Sequence, residues 1–213
     1  MNDRISYLPR VGAPVLMEKT DVNSHPMRKV TQEVAFDRSS WDSARAAKVS
    51  DLFDSMASTW SERDFNSRVV PVTDCLERGG VSHGSLGVEL GSGTGAYSDM
   101  LSELFLSLLC VDISQEMLIN SRANRGLRVR GDGAQLPLSD SSVDGLFLIN
   151  TLLFPDEVER ILSPSGYVAW ISTNGDQTPI YLSPEEVATA LGDSFSGVSS
   201  EAGGGTWSVF RRK

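Results

Sequence analysis

Three glycines at alternate positions, Gly91, Gly93 and Gly95, stand between two stretches of regular apolar pattern. Residues 86–90 form a short apolar run typical of a buried strand, and residues 97–104 carry apolar side chains at helical spacing. The sequence therefore predicts a strand, a tight loop and a helix. Glycines in such a loop let the backbone lie against a ligand, and the start of the helix offers unpaired N–H groups. This pattern indicates a nucleotide-like ligand.

An acid, Glu89, lies two residues before the first of these glycines. The glycines alone are ambiguous, because Gly91, Gly93 and Ala96 also satisfy the loose dinucleotide pattern G-x-G-x-x-G/A. A carboxylate at that place would repel a pyrophosphate, and its burial would be costly. It would attract a ligand that carries an ammonium and a sulfonium. Glu89 therefore disfavours a dinucleotide.

Residues 88–95, VELGSGTG, resemble motif I of the class I S-adenosylmethionine-dependent methyltransferases. The resemblance implies that S-adenosylmethionine is the cofactor and that the Glu89 carboxylate lies close to its methionine amino group. It also implies that Gly91, Gly93 and Gly95 allow the amino-acid part of the cofactor to approach. The alternative is a glycine-rich turn without a ligand, which is disfavoured because two later acids fall where this family needs them.

Of these two acids, Asp112 closes the apolar run at residues 106–111, and Asp132 is a glycine-flanked acid at the end of the third predicted strand. In nucleotide sites, an acid at the carboxyl end of the second parallel strand accepts hydrogen bonds from the ribose hydroxyls. Asp112 therefore indicates a nucleoside without choosing between NAD and S-adenosylmethionine, and the adjacent Ile113 joins the predicted site. Residues 132–138, DGAQLPL, resemble the family's D-A-x-x-L-P element, which implies that Asp132 receives the adenine amino group and that Gly133 lies beside it. The alternative for Asp132 is an ordinary turn or cap.

The stretch before motif I, FDSMASTWSER at residues 53–63, is similar to the FDxxAxxY/W segment of many small-molecule methyltransferases. The similarity implies that Trp60 closes over the methionine part of the cofactor and that Arg63 offers a cation to its carboxylate. The alternative is that Trp60 belongs to a packing stripe and Arg63 is a solvated charge.

Asn150, at the end of the fourth predicted strand, is expected to face the same crevice. Residues 151–154 lead apolar side chains either toward an acceptor or into the core.

The composition disfavours nucleic-acid, metal-dependent and membrane-bound functions. The chain has 19 Lys and Arg against 28 Asp and Glu, and this acidic balance disfavours a nucleic-acid substrate. Its two cysteines give no disulfide framework and indicate a reducing compartment, and the scattered Cys and His residues predict no metal site. No signal-peptide pattern and no apolar run long enough to span a bilayer are found, so we expect a cytoplasmic protein without a membrane partner.

The order of predicted elements indicates an α/β fold. We expect a doubly wound, mostly parallel, seven-stranded sheet with a terminal antiparallel strand, preceded by N-terminal helices. Residues 1–40 contain three prolines and no sustained periodicity, so an irregular extension or a lid over the ligand is expected there. Residues 41–213 would then form the methyltransferase domain.

The resemblance implies transfer of a methyl group from S-adenosylmethionine to a small-molecule acceptor, as in the type 11-like group of the family. Because a sulfonium is already a good leaving group, the protein mainly has to align the acceptor with the methyl group. A hydroxyl acceptor is favoured over an amine or a carbon, with His25, Asp156 and Asp176 as candidate bases. No motif supports these three, so no catalytic residue is assigned.

The alternatives are a non-catalytic S-adenosylmethionine-binding protein and, less favoured, an NAD-dependent oxidoreductase. The oligomeric state is left open.

Overall fold

The structure is a computed structural model that describes residues 4–13, 22–60 and 66–213. The predicted cofactor contact Arg63 lies outside these residues and stays a prediction. None of the described helices is long and apolar enough to cross a membrane. The helices are α1 Pro26–Phe36, α2 Ser43–Trp60, α3 Asn66–Arg78, α4 Ser98–Leu101, α5 Gln115–Ile119, α6 Pro155–Ile161 and α7 Pro184–Leu191. The strands are β1 Ile5–Tyr7, β2 Gly84–Leu90, β3 Phe105–Asp112, β4 Leu127–Arg130, β5 Val143–Ile149, β6 Leu162–Ser172, β7 Phe195–Ala202 and β8 Gly205–Arg212.

All these strands form one sheet, in the order β1-β7-β8-β6-β5-β2-β3-β4. Strands β6, β5, β2, β3 and β4 are parallel neighbours, whereas β8 runs antiparallel to both β6 and β7. The predicted α/β class, with a mostly parallel sheet and a terminal antiparallel strand, is confirmed. In the part of the chain that the structure describes, the sheet has eight strands rather than seven, because β1 adds a parallel edge strand beside β7.

The N-terminal region is more regular than the sequence predicted. Within the segment expected to be irregular, β1 joins the sheet and α1 is an eleven-residue helix. Pro26 stands at the start of α1, where its missing N–H would have had no helical partner, and the His25 ring accepts a hydrogen bond from the Met27 N–H. The proline that suggested irregular chain therefore begins a helix. The domain boundary at residue 41 stays a prediction.

The central strands are buried on both faces, as their sequences require. Along β5, Leu146 and Leu148 belong to one hydrophobic cluster, and Phe147 and Ile149 belong to the other. Successive side chains of a strand point to opposite faces, so a strand covered on both sides needs an unbroken apolar run. Helices α6 and α7 contribute to the first cluster, and α3 and α4 contribute to the second.

Strand β2 lies where the chain order of the sheet reverses, between β3 on one side and β5 on the other. In open α/β sheets, the carboxyl ends of the strands beside such a point border a ligand crevice. Glu89 lies at that end of β2, and Asp112 lies at that end of β3. The fold therefore brings these two predicted acids to the same edge of the sheet.

Candidate functional site

A cavity of about 400 Å³ opens at the carboxyl ends of β2, β3 and β5. Asp132 is not part of its wall, although its neighbours Gly131 and Gly133 are. Trp41 and Arg68, which the sequence did not single out, also border the cavity. The remaining predicted site residues that the structure describes all lie in the wall: Trp60, Glu89, Gly91, Gly93, Gly95, Asp112, Ile113, Gly133 and Asn150.

The glycine loop forms a cradle along one side of this cavity. Gly91 has φ +70°, and a Cβ there would lie 2.3 Å from Oγ1 of Thr151, so the loop requires glycine. At Gly93 the nearest atom to a Cβ would be Nε1 of Trp60, 3.6 Å away, so a side chain would fill open cavity instead. The buried hydroxyl of Ser92 has no hydrogen-bond partner among the described residues. The open cradle and the unpaired hydroxyl fit a bound ligand.

Asp112, at the end of β3, bonds to this loop with one carboxylate oxygen and to the start of α5 with the other. One oxygen accepts the Gly93 N–H at 2.8 Å, and the other accepts the Ser114 N–H at 2.8 Å. Burial raises the pKa of this carboxyl above its usual value, while the bonds from backbone N–H groups oppose the rise. A carboxylate offers about four acceptor sites, so Asp112 keeps capacity for the hydroxyls of a ligand.

Glu89 is a buried acid in the cavity wall, only 2 % exposed. Burial raises its pKa to about 7, the hydrogen bond from the Ser98 hydroxyl opposes this rise, and the negative charge of Asp112 adds to it. Without a ligand, the group is therefore only partly ionised near neutral pH. A cation in the cavity would favour the carboxylate, because an opposite charge stabilises the ionised form.

Proton release is therefore expected when a cationic ligand binds at a pH below the Glu89 pKa of about 7. At about pH 6, binding of S-adenosylmethionine, which carries an ammonium and a sulfonium, should release close to one proton, and at about pH 8 much less, since Glu89 is then already ionised. Calorimetric titration in two buffers of different ionisation enthalpy measures this number directly. Affinity should rise with pH over the same range.

Glu89→Gln is the matched variant, because it keeps the shape of the side chain and cannot titrate. It should bind more weakly and release almost no proton at either pH. The raised pKa also makes the ligand-free protein lose stability as pH rises from about 4.5 to about 7, and this slope should flatten in the variant. Equal proton release by both proteins would exclude Glu89 as the titrating group.

Polar side chains gather beyond the end of β5. Asn150 has φ +52°, and its side chain donates to Oγ1 of Thr173 and accepts the Thr173 N–H, each at 2.9 Å. These two bonds hold a left-handed backbone that a non-glycine residue adopts only at a cost. Burial raises the pKa of Tyr97, in the same wall, to about 12, although the nearby charge of Arg68 opposes this. The Tyr97 phenol therefore stays protonated at neutral pH.

The Asp132 carboxylate is bonded within the protein. Both of its oxygens accept the indole N–H of Trp41 at 3.0 Å, and one also accepts the Ala134 N–H at 2.9 Å. The Trp41 ring packs edge to face on Phe154, with 5.2 Å between ring centroids. Trp41 and Asp132 are 91 positions apart, and no local pattern links them.

The three candidate bases have other roles in the structure. His25 caps α1, Asp156 pairs with Arg38, and the Asp176 carboxylate accepts a hydrogen bond from the side chain of Gln177. None of the three belongs to the cavity wall as the described residues form it. Within residues 4–13, 22–60 and 66–213, no three His, Cys, Asp or Glu side chains are grouped in a way that could hold a metal ion.

Comparisons with known sequences point to one family. Residues 88–169 match the family model described as "Methyltransferase domain". The chain is 33% identical over 107 residues to the biotin biosynthesis bifunctional protein BioHC of Cellvibrio japonicus, covering 45% of this chain and 21% of that protein. It is 35% identical over 106 residues to the malonyl-[acyl-carrier protein] O-methyltransferase of Methylococcus capsulatus, covering 43% and 38%. The match thus spans well under half the length of either relative.

Solved structures share the fold at low sequence identity. The DhpI–SAH complex aligns with a TM-score of 0.62 and 21% identity over 76% of this chain and 94% of that chain. A SAM-dependent methyltransferase from Aquifex aeolicus aligns with a TM-score of 0.58 and 19% identity over 80% and 97%. The chain therefore has the fold of the class I S-adenosylmethionine-dependent methyltransferases, and its residues 88–169 match the methyltransferase domain model.

Proposed function

We propose that this protein transfers a methyl group from S-adenosylmethionine to an oxygen atom of a small-molecule acceptor. The observation that carries the proposal is Glu89, a buried acid in the wall of a glycine-lined cavity. Such a group favours a cationic ligand and disfavours a pyrophosphate. The cofactor supplies a methyl group attached to a sulfonium leaving group. The chain's own residues then have to bind the acceptor, orient it toward the methyl group and exclude water.

The charges along the cavity support one orientation of the cofactor. Glu89 and Arg68 have opposite charges and both border the cavity, which suits the ammonium and the carboxylate of an amino acid. Asp112 would accept the ribose hydroxyls with its remaining lone pairs. Asp132, between two wall glycines, would accept the adenine amino group. The other predicted contacts complete this arrangement: Trp60, Arg63, Gly91, Gly93, Gly95, Ile113, Gly133 and Asn150.

The acceptor side of the proposal rests on apolar walls and on a relative. Phe53, Leu152 and Ile180 border the cavity, and apolar surroundings of this kind exclude water and hold an acceptor in line with the methyl group. One curated relative is named for O-methylation of malonyl-[acyl-carrier protein], which supports an oxygen acceptor here. We therefore propose an acceptor with an apolar body and one nucleophilic oxygen.

Thermal unfolding with S-adenosylmethionine, S-adenosylhomocysteine and NAD in parallel tests the donor. Each adenosyl ligand, at about a hundred times its dissociation constant, should stabilise the protein by roughly 2.7 kcal/mol. NAD should give no shift, because its pyrophosphate would meet Glu89. Stabilisation by NAD alone would replace the proposal with the oxidoreductase alternative.

Turnover separates an enzyme from a protein that only binds the cofactor. With a panel of apolar carboxylic acids, phenols, alcohols and amines, at least one oxygen acceptor should give S-adenosylhomocysteine together with an O-methylated product. If S-adenosylhomocysteine formed only with amines, the acceptor atom would be nitrogen rather than oxygen. Donor binding without product from any acceptor class would support the non-catalytic alternative.

A further inference from the structure

Trp41 is the described residue that connects the N-terminal part of the chain with the predicted adenine end of the cavity. Its indole N–H is shared between both oxygens of Asp132, at 3.0 Å each, and its ring borders the cavity. The ring also packs edge to face on Phe154, another wall residue. One side chain therefore contributes both a wall of the cavity and a hydrogen bond to an acid beside it.

The segment around Trp41 contacts α6 on one side and is held to α1 on the other. Before it, Arg38 forms an ion pair with Asp156 at the start of α6. After it, the Arg45 guanidinium donates to the Ser40 carbonyl and to the Glu33 carboxylate. Trp41 is thus held between anchored neighbours, which is what a residue that orients another side chain needs.

Asp132 retains acceptor capacity after these contacts. One oxygen receives the Trp41 indole and the Ala134 N–H, whereas the other receives only the indole among the contacts of the described residues. Because each carboxylate oxygen has two lone pairs, the second oxygen has a site for another N–H donor. The donor bonds from Trp41 and Ala134 also restrain rotation of the carboxylate.

We propose that Trp41 is a positioning residue of the donor site, which acts through Asp132. Its N–H orients the carboxylate so that one oxygen stays available to the adenine amino group, and its ring forms the adjoining wall with Phe154. This inference rests on the proposed function. Selectivity for an adenine amino group would then depend on Trp41, which lies 91 positions before Asp132, the proposed acceptor of that group.

The test compares S-adenosylhomocysteine with S-inosylhomocysteine, which carries an oxygen in place of the adenine amino group and so offers Asp132 no such donor. Calorimetry gives the affinity ratio of the two ligands for each variant. Trp41→Phe keeps a ring at the wall and removes the N–H. The ratio should fall about tenfold in this variant, mainly through weaker binding of S-adenosylhomocysteine.

A double-mutant cycle shows whether Trp41 acts through Asp132. In the Asp132→Ala background, Trp41→Phe should leave the ratio unchanged, because the carboxylate it orients is already absent. Trp60→Phe is the matched control, since it removes an indole from the same wall without a bond to Asp132. It should change the affinity for both ligands by a similar factor. The melting temperature of each ligand-free variant checks that it is folded.

Three results would overturn the inference. They are an unchanged ratio in Trp41→Phe, an equal loss of affinity for both ligands, and the same change in ratio in the Asp132→Ala background. Failure of the unaltered protein to bind S-adenosylhomocysteine at all would overturn the proposed function together with this inference. Strong binding of S-adenosylhomocysteine with no role for Trp41 would overturn this inference alone.

Discussion

Asp112→Asn should weaken binding of S-adenosylhomocysteine by about a hundredfold or more. Both carboxylate oxygens accept backbone N–H groups, from Gly93 and from Ser114. Asparagine has only one acceptor oxygen, so its NH2 group must face one of these two donors. The variant therefore loses an anchor of the glycine loop as well as the proposed acceptor for the ribose hydroxyls. Calorimetric titration at neutral pH measures the loss.

Asp144→Asn is the matched control for this variant. Asp144 accepts the Ser85 and Leu86 N–H groups at the start of β2, at the end of the strand opposite to the cavity. The same chemical change is therefore made far from the site, at a carboxylate with one oxygen that accepts both N–H groups and another that accepts the Ser163 hydroxyl. We expect some loss of stability and little change in affinity. Wild-type affinity in Asp112→Asn would mean that the cofactor does not depend on this carboxylate.

The sequence was most informative where a chemical requirement coincides with the end of a strand. Glu89 and Asp112 could be predicted for the site because parallel strands present their carboxyl ends at one edge. Gly91 could be predicted because a tight loop with positive φ excludes other side chains. These residues are determined by local pattern together with the class of fold. Their roles toward the cofactor stay predictions.

The sequence was less informative where contact depends on packing between distant segments. Trp41 bonds to Asp132 across 91 positions, and Arg68 enters the cavity wall from α3. Neither has a neighbour in sequence that indicates its surroundings. An indole beside a carboxylate is recognised only after α2 and the turn before it are placed on the sheet. A search for donors opposite each predicted acid would have found Trp41 once the fold was known.

The N-terminal strand and helix show a different limit. Strand β1 has only three residues, of which Ile5 alone is buried, so it carries no detectable alternation. It is stabilised by pairing with β7, which is nearly two hundred positions away. Helix α1 begins at Pro26, although the prolines of this region predict irregular chain. At the first position of a helix, however, proline is favourable.

Asp74→Ala should lower the free energy of unfolding by about 3 to 5 kcal/mol. The Asp74 side chain is 7% exposed and accepts hydrogen bonds from the indole of Trp207 and from Nε and Nη2 of Arg78. Removing the carboxylate leaves a fully buried indole N–H and a partly buried guanidinium without this acceptor. Urea unfolding at neutral pH measures the change, with Asp193→Ala as control because the side chain of Asp193 is 99% exposed in its ion pair with Arg4.

The pH dependence of this effect identifies its cause. Burial raises the pKa of Asp74, but the bonds from Arg78 and Trp207 outweigh it and hold the pKa below the usual 3.8. A carboxyl with a lowered folded-state pKa contributes stability above its unfolded pKa and loses it as pH falls through the folded value. The difference between wild type and Asp74→Ala should therefore be constant from about pH 5 to pH 7 and should shrink below about pH 4. A difference independent of pH down to about pH 2 would mean that lost packing, rather than the charge, destabilises the variant. Because Asp74 lies in α3 but outside the cavity wall, the folded variant should still bind S-adenosylhomocysteine with nearly wild-type affinity.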